Sequence, residues 1–148
     1  MYTKNDTKYL NTAPDGSYSI AGSIFLHWKN NPELTDPFNL IHGHHMADYK
    51  MFGELDRFYE KDFFDSHKTG YIVSNGVKHN MDVFAIVKTD ANEKMFYDPT
   101  EYTGQYEYIK SISKFFREPG NKNKIVALST CKDPGTTERT ILFCSMLD

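Results

Sequence analysis

The chain has 148 residues, of which 39% are hydrophobic and 25% charged, so it is long enough to bury one core and has the composition of a globular protein. Its formal net charge of −3 gives no positive field for nucleic acid, and we expect no nucleic-acid partner. No window approaches the roughly 20 apolar residues of a membrane span, and the first residues lack the apolar centre of a signal peptide, so we expect the chain as written to be soluble. Within it we distinguish an N-terminal lead-in at residues 1–14, either flexible or a short helix, and one domain at residues 15–148.

Short apolar segments alternate with loops in the first half of the chain. The strands predicted there span residues 17–22, 23–29 and 38–42. A loop over 30–37 separates the second strand from the third, because Asn, Pro and Asp dominate its composition. Apolar residues at helical spacing then predict an amphipathic helix over 50–60, which can continue through 61–66 and cover one side of the sheet.

Two hairpins and a helix are predicted in the second half of the chain. Strands over 70–74 and 78–89 flank Asn75-Gly76, a dipeptide that readily adopts the positive φ angles of a tight turn. Apolar spacings of three and four predict a helix over 101–116, ended by Pro119-Gly120. The last two strands are predicted over 124–130 and 139–147. About seven short strands with two covering helices favour a partly closed mixed β-barrel.

The two cysteines of the chain, Cys131 and Cys144, are too few for a disulfide framework. If the last two strands form a hairpin, the numbers of opposed residues add to about 270, and Cys144 faces the neighbourhood of Val126. At about 3.3 Å per residue, Cys144 then lies about 15 Å from Cys131, too far for a disulfide bond. We therefore expect Cys131 to be a free thiol at a strand end and Cys144 to be a small buried side chain.

A cluster of histidines could activate such a thiol. Cysteine attacks as a thiolate, and a nearby histidine can stabilise that anion as an imidazolium and later return the proton to a leaving amine. Three of the six histidines lie in Ile41-His-Gly-His-His45, at a predicted strand end. Alternation places His42 and His44 on one face and His45 on the other, and Gly43 permits a close approach of another backbone or of a substrate. Spacing alone does not choose among the three histidines.

Arg139 follows Cys131 by eight positions, and a return of that length brings both residues to the same end of adjacent strands. Its guanidinium stays charged and cannot act as a base, but it offers several donors to an oxygen that gains negative charge in a tetrahedral intermediate. Thiol, histidine and arginine together indicate covalent acyl transfer.

The segment Leu128-Ser-Thr-Cys131 with Arg139 downstream, and the segment 40–52 around the histidine cluster, resemble the sortases and are most similar to class B. The resemblance implies a mainly β fold, a closed eight-stranded β-barrel with a few covering helices. It implies that Cys131 is the nucleophile, His44 the general acid and base, and Arg139 the group that stabilises the oxyanion. The residues expected to contact substrate are Ser129, Thr130 and His45. Neither a metal ion nor a cofactor is expected.

The activity that the resemblance implies is that of a cysteine transpeptidase. Such an enzyme cleaves the Thr–Gly or Thr–Asn bond of an NPxTN- or PxTG-like sorting signal, forms a thioacyl-enzyme and passes the acyl group to an amine of peptidoglycan or of a pilin subunit. The implied native form is membrane-anchored at the extracellular face of the Gram-positive cell membrane. The chain departs from the family pattern at Ala127, where Thr is common, at His42, where Tyr is common, and in having no N-terminal anchor.

Three other functions are compatible with the same residues. A cysteine protease would form the same acyl-enzyme and give it to water. A non-catalytic zinc-binding module could use His42 and His44 with Cys131 or His45, since imidazole and thiolate are usual zinc ligands. A degenerate domain would bind a sorting peptide without cleaving it.

Overall fold

The computed structural model describes residues 7–48, 50–131 and 137–148, with the backbone but not the side chain of Cys131. Part of the predicted lead-in at 1–14 and most of the predicted loop between the last two strands therefore lie outside the described residues. The described residues form a seven-stranded mixed sheet with β5 paired to β4 beside the path β1-β2-β6-β7-β4-β3. The strands are β1 (Phe25–Leu26), β2 (Phe38–His44), β3 (Thr69–Ser74), β4 (Val77–Asp90), β5 (Phe115–Phe116), β6 (Ile125–Cys131) and β7 (Glu138–Met146).

The predicted mainly β architecture is confirmed, but the implied closed barrel of eight strands is not what the described residues form. Strands β1 and β3 are the two ends of the hydrogen-bonded path, and no ladder joins them in the part of the chain that the structure describes. A groove lined by Leu34 and Ile72 lies between the two ends. Near it, the Ser74 hydroxyl of β3 donates to the Pro32 carbonyl at 2.9 Å.

Short helices cover the sheet, and their extents differ from the prediction. The α-helices are α1 (Lys61–Ser66), α2 (Lys94–Tyr97) and α3 (Tyr106–Ile112), and the 3₁₀ helices are Lys8–Leu10, Phe52–Tyr59 and Pro99–Glu101. The helix predicted over 50–60 is thus a 3₁₀ helix, separated from α1 by the extended backbone of Glu60. Its apolar face was correctly identified, since Leu55 and Phe58 are buried, and a spacing of three fits either helix type. Helix α2 was not predicted.

Two other predicted elements are wrong in extent. The helix predicted over 101–116 occupies only α3, because Phe115 and Phe116 pair with β4 as a strand and pack their partly buried rings against the core. Of the two strands predicted over 17–29, the structure contains only the short strand β1. Backbone groups of Ser19 and Ser23 instead donate to Asn11 and Tyr9 of the N-terminal segment, at 3.0 Å in both cases.

Both predicted hairpins are confirmed. Asn75 and Gly76 adopt φ angles of 51° and 76° between β3 and β4. In β6 and β7 the residue numbers of opposed pairs add to 270, as Cys131 with Arg139 and Val126 with Cys144 show. Cys144 is a free cysteine, 2% exposed in the core.

Apolar clusters on both faces hold the sheet in place. One cluster packs the 3₁₀ helix Phe52–Tyr59 and α1 against β4, β6 and β7, and the other packs Phe96 of α2 and Ile109 of α3 against the opposite face. Within the described residues, we find no helix with the length and apolar character needed to cross a membrane. The two covered faces leave the ends of β2, β6 and β7 as the place where polar side chains can meet a ligand.

Candidate active site

The sheet brings three strand ends together in one row. In the parallel pair β2 and β6, His44 lies opposite Cys131, and in the antiparallel pair β6 and β7, Cys131 lies opposite Arg139. Neighbouring strands are about 4.8 Å apart, so the backbone places position 131 between the histidine and the arginine. We call these three positions the outer row. The juxtaposition of Cys131 and Arg139 is the one that the hairpin spacing predicts.

A cleft of about 210 Å³ opens at the outer row. The residues singled out from the sequence that line it are His42, Gly43, His44, Ser129, Thr130 and Arg139. The remaining walls come from residues without a functional signal in the sequence, namely Leu10, Phe25, Ala91 and Tyr97. Leu10 and Phe25 lie near the N-terminus and the other two follow β4, so no single local motif marks the four.

His44 is half-buried and is held from one side by the backbone. Its Nε2 donates to the carbonyl oxygen of Leu10 at 2.7 Å. A carbonyl only accepts, so this nitrogen carries a hydrogen and, in the neutral ring, Nδ1 is the basic nitrogen. The ring is therefore oriented to exchange a proton through Nδ1.

His42 lies on the same face as His44 but in a different environment. Its ring is buried among Phe25, His27 and Tyr97, with centroid distances of 5.2, 5.5 and 6.4 Å. Burial, followed by repulsion from His27 and Arg139, lowers the pKa of His42 to about 3. This histidine is therefore neutral at physiological pH, and it forms an uncharged part of the cleft wall.

Ser129 and Thr130 are almost fully buried where they border the cleft, at 2% and 1% exposure. The hydroxyl groups of Ser129 and Tyr97 are 2.7 Å apart and share a hydrogen bond. Since Tyr97 ends α2, this bond fixes that helix against the floor of the cleft.

Arg139 is half-buried at the start of β7 and borders the cleft. Its Nη1 donates to the carbonyl oxygen of Glu138 at 3.0 Å. A guanidinium presents five N–H donors and stays charged, and such a group is suited to stabilise a negatively charged oxygen.

His45 and Gly43 make their described contacts with Asp56 and Phe52. The Nε2 of His45 and Oδ2 of Asp56 are 2.6 Å apart, and His45 is not among the residues that line the cleft. The close approach expected at Gly43 is made by the Phe52 ring, from which a Cβ at position 43 would lie only 2.5 Å away. Among the described side chains, no group of three or more His, Cys, Asp or Glu is arranged to hold a metal ion.

Comparison with known proteins places the chain in a family. No family model matches it. It is 28% identical to sortase B of Listeria monocytogenes over 88% of its length and 25% identical to sortase B of Staphylococcus aureus over 97%. It superposes with a TM-score of 0.86 and 35% identity on a Streptococcus pyogenes class B sortase involved in pilus biogenesis, covering 99% of this chain and 83% of the other.

The mainly β fold and these relatives agree with the resemblance to class B sortases found in the sequence. The chain belongs to the sortase family and, within it, to class B. It spans 56% and 62% of the lengths of the Listeria and Staphylococcus relatives.

Proposed function

We propose that this chain is a cysteine transpeptidase in which Cys131 is the nucleophile, His44 the general acid and base, and Arg139 the group that stabilises the oxyanion. The observation that carries the proposal is the outer row, in which the backbone of Cys131 pairs with that of His44 on one side and that of Arg139 on the other. The row borders a cleft, so a peptide bond can reach it from solvent.

In the first half of the proposed reaction, the Cys131 thiolate attacks the carbonyl carbon of the scissile amide. A carbon–sulfur bond forms, and the carbonyl electron pair moves onto oxygen, where the Arg139 guanidinium donates hydrogen bonds to it. The protonated His44 ring then delivers a proton from Nδ1 to the leaving amine, which departs as the carbon–nitrogen bond breaks. A thioacyl-enzyme and a neutral His44 remain.

In the second half, the neutral Nδ1 of His44 takes a proton from an incoming amine as the amine attacks the thioester carbon. The carbon–sulfur bond breaks, the new amide leaves and Cys131 departs as thiolate beside the imidazolium. The starting protonation state is thereby restored, and no external reductant, oxidant or metal is needed.

The substrate class that we propose is a sorting-signal peptide of the NPxTN or PxTG type, and the acceptor is an amine of peptidoglycan or of a pilin subunit. The similarity to class B sortases, one of them involved in pilus biogenesis, supports this class. Ser129 and Thr130 line the cleft and are the substrate contacts we propose; the predicted contact of His45 with substrate stays a prediction. The site of action that we propose is the extracellular face of the Gram-positive cell membrane.

Product analysis with and without an added amine tests this proposal. We expect the wild type to join NPxTN- or PxTG-type peptides to triglycine or to a lysine derivative, and Cys131→Ala to form no product at all. Cys144→Ala is the matched control, because Cys144 is buried in the core, and it should keep the activity. Product made only with water, even in the presence of amine, would favour the protease, and peptide binding without cleavage would favour the degenerate domain.

A further inference from the structure

The N-terminal segment packs against β1 and reaches His44 at the end of β2. Tyr9 is buried and its ring lies 5.7 Å from that of Phe25 in β1. The backbone N–H of Ser23 donates to the Tyr9 carbonyl, and the Ser23 hydroxyl donates to the carbonyl of Thr12. These contacts fix the 3₁₀ helix Lys8–Leu10 at the mouth of the cleft, where the Leu10 carbonyl meets His44.

Gly22 is the residue that allows this arrangement. It adopts a φ of +60°, which side chains with a Cβ rarely adopt, and a Cβ built on it would lie 2.4 Å from the Leu10 oxygen and 2.5 Å from the Tyr9 oxygen. Both neighbours are backbone atoms, so neither can move away as the end of a flexible side chain would. The Leu10 carbonyl can occupy its place beside His44 only because position 22 has no side chain.

The contact between Leu10 and His44 determines which ring nitrogen is basic. A carbonyl that accepts from Nε2–H favours the neutral tautomer protonated at Nε2. Carboxylates, backbone carbonyls and water molecules all orient histidine rings in this way, and here the partner is an uncharged backbone oxygen.

We propose that Gly22 is a positioning residue for His44: it holds the Leu10 carbonyl against Nε2 and thereby assigns proton transfer to Nδ1. Its consequence for turnover rests on the proposed function, while its consequence for the ring tautomer does not. Gly22 touches neither substrate nor reacting atoms, so its effect passes through Leu10 and His44.

The first test is ¹⁵N NMR of the histidine side chains in the wild-type protein at about pH 8, above the ordinary histidine pKa of about 6.5. His44 is assigned by its loss in His44→Gln. We expect the neutral His44 ring to be protonated at Nε2. A ring protonated at Nδ1 overturns the proposal without any variant at position 22.

The second test compares Gly22→Ala with Gly16→Ala. Both glycines have positive φ, but a Cβ at position 16 meets nothing within 4 Å, so Gly16→Ala controls for backbone strain alone. We expect Gly22→Ala to mix the His44 tautomers and to lower kcat about tenfold with KM within about twofold. Gly16→Ala should keep the wild-type tautomer and kcat.

Equal tautomer populations and equal kcat in the two glycine variants would overturn the proposal. If Gly22→Ala does not fold, Ser23→Ala takes its place, because it removes the hydroxyl that ties the segment to Thr12; an unchanged tautomer there also counts against the proposal. Failure of the proposed function is recognised separately, as the absence of a thioacyl adduct on wild-type Cys131.

Discussion

His42 and His44 lie two residues apart on the same face of β2, yet the structure places them in different surroundings. His42 is enclosed by aromatic rings and its pKa falls to about 3, because burial disfavours the charged ring. His44 lies at the end of the strand, borders the cleft and donates to the Leu10 carbonyl. A histidine that must gain and lose a proton is therefore unsuited to the buried position 42, whereas position 44 in the outer row borders the cleft.

The two cysteines show the same contrast. Cys144 lies near the C-terminal end of β7, opposite Val126 and Val83, and burial raises the pKa of its thiol to about 12. Cys131 ends β6 in the outer row. Position relative to the outer row, rather than residue type, separates the cysteine that we propose as a nucleophile from the cysteine that packs in the core.

Among the variants that test this contrast, a replacement of His44 should have the largest effect on kcat/KM. We expect His44→Ala to lower kcat/KM about 10³-fold, since it removes the acid and base of both half-reactions. The control is His79→Ala, because His79 pairs with Asp148 at 2.7 Å and does not line the cleft. Transpeptidation assays of both variants measure the effect. Comparable rates in the two would mean that transpeptidation does not depend on His44.

Arg139→Lys should have the next largest effect. Lysine keeps the charge but lacks the planar set of donors, so we expect kcat to fall about 10²-fold with the fold intact. Arg57→Lys is the matched control, because Arg57 is partly exposed and pairs with Glu54 outside the cleft. A wild-type kcat in Arg139→Lys would show that a positive charge is sufficient at this position.

The buried His42 should affect the pH dependence of folding stability rather than the reaction rate. Because the folded-state pKa of His42 is about 3 and its ordinary value is 6.5, the unfolded chain binds a proton between these pH values that the folded chain does not. Stability from this group is therefore complete above pH 6.5 and is lost as the pH falls. Between about pH 7.5 and pH 5 the loss should be about 2 kcal/mol.

Urea unfolding of the wild type and of His42→Phe at several pH values measures this loss. The phenylalanine variant cannot titrate at position 42, so its stability should depend less on pH by about that amount. Identical pH profiles in the two proteins would show that His42 titrates normally and that the contrast with His44 is smaller than the structure indicates.

A smaller effect is expected at the glycine between the two histidines. A Cβ in Gly43→Ala would lie 2.5 Å from the Phe52 ring, so we expect a loss of about 1.5 kcal/mol in the free energy of unfolding. Gly70→Ala is the control within another strand, since a Cβ there meets nothing within 4 Å. Thermal or urea unfolding distinguishes them, and an equal change in both would remove Phe52 as the reason for glycine at position 43.

How far the site could be predicted from the sequence depends on the distance along the chain between its parts. Cys131 and Arg139 are joined by one hairpin, so counting residues was enough to place them side by side. The choice of His44 over His42 was not available from alternation, because the two share a face. It depends on burial by Phe25 and on a hydrogen bond to Leu10, which is 34 residues away.

The fold shows the same limit. The hairpin at Asn75-Gly76 has a local turn signal and was predicted with its strands. The helix predicted over 101–116 was too long because Phe115 and Phe116 have apolar spacing that suits a helix, but they pair with Ile86 and Ala85 of β4. Tertiary pairing of this kind overrides local periodicity, and a single sequence does not display it.

The most direct test of the account is mass spectrometry of the wild-type protein after incubation with sorting-signal peptides in the absence of an added amine, followed by digestion to locate the modified residue. The account predicts a thioacyl adduct on the fragment that contains Cys131, none on the fragment that contains Cys144, and loss of the adduct when an amine is added. An adduct at another residue, or cleaved peptide with no adduct in rapidly quenched samples, would contradict it.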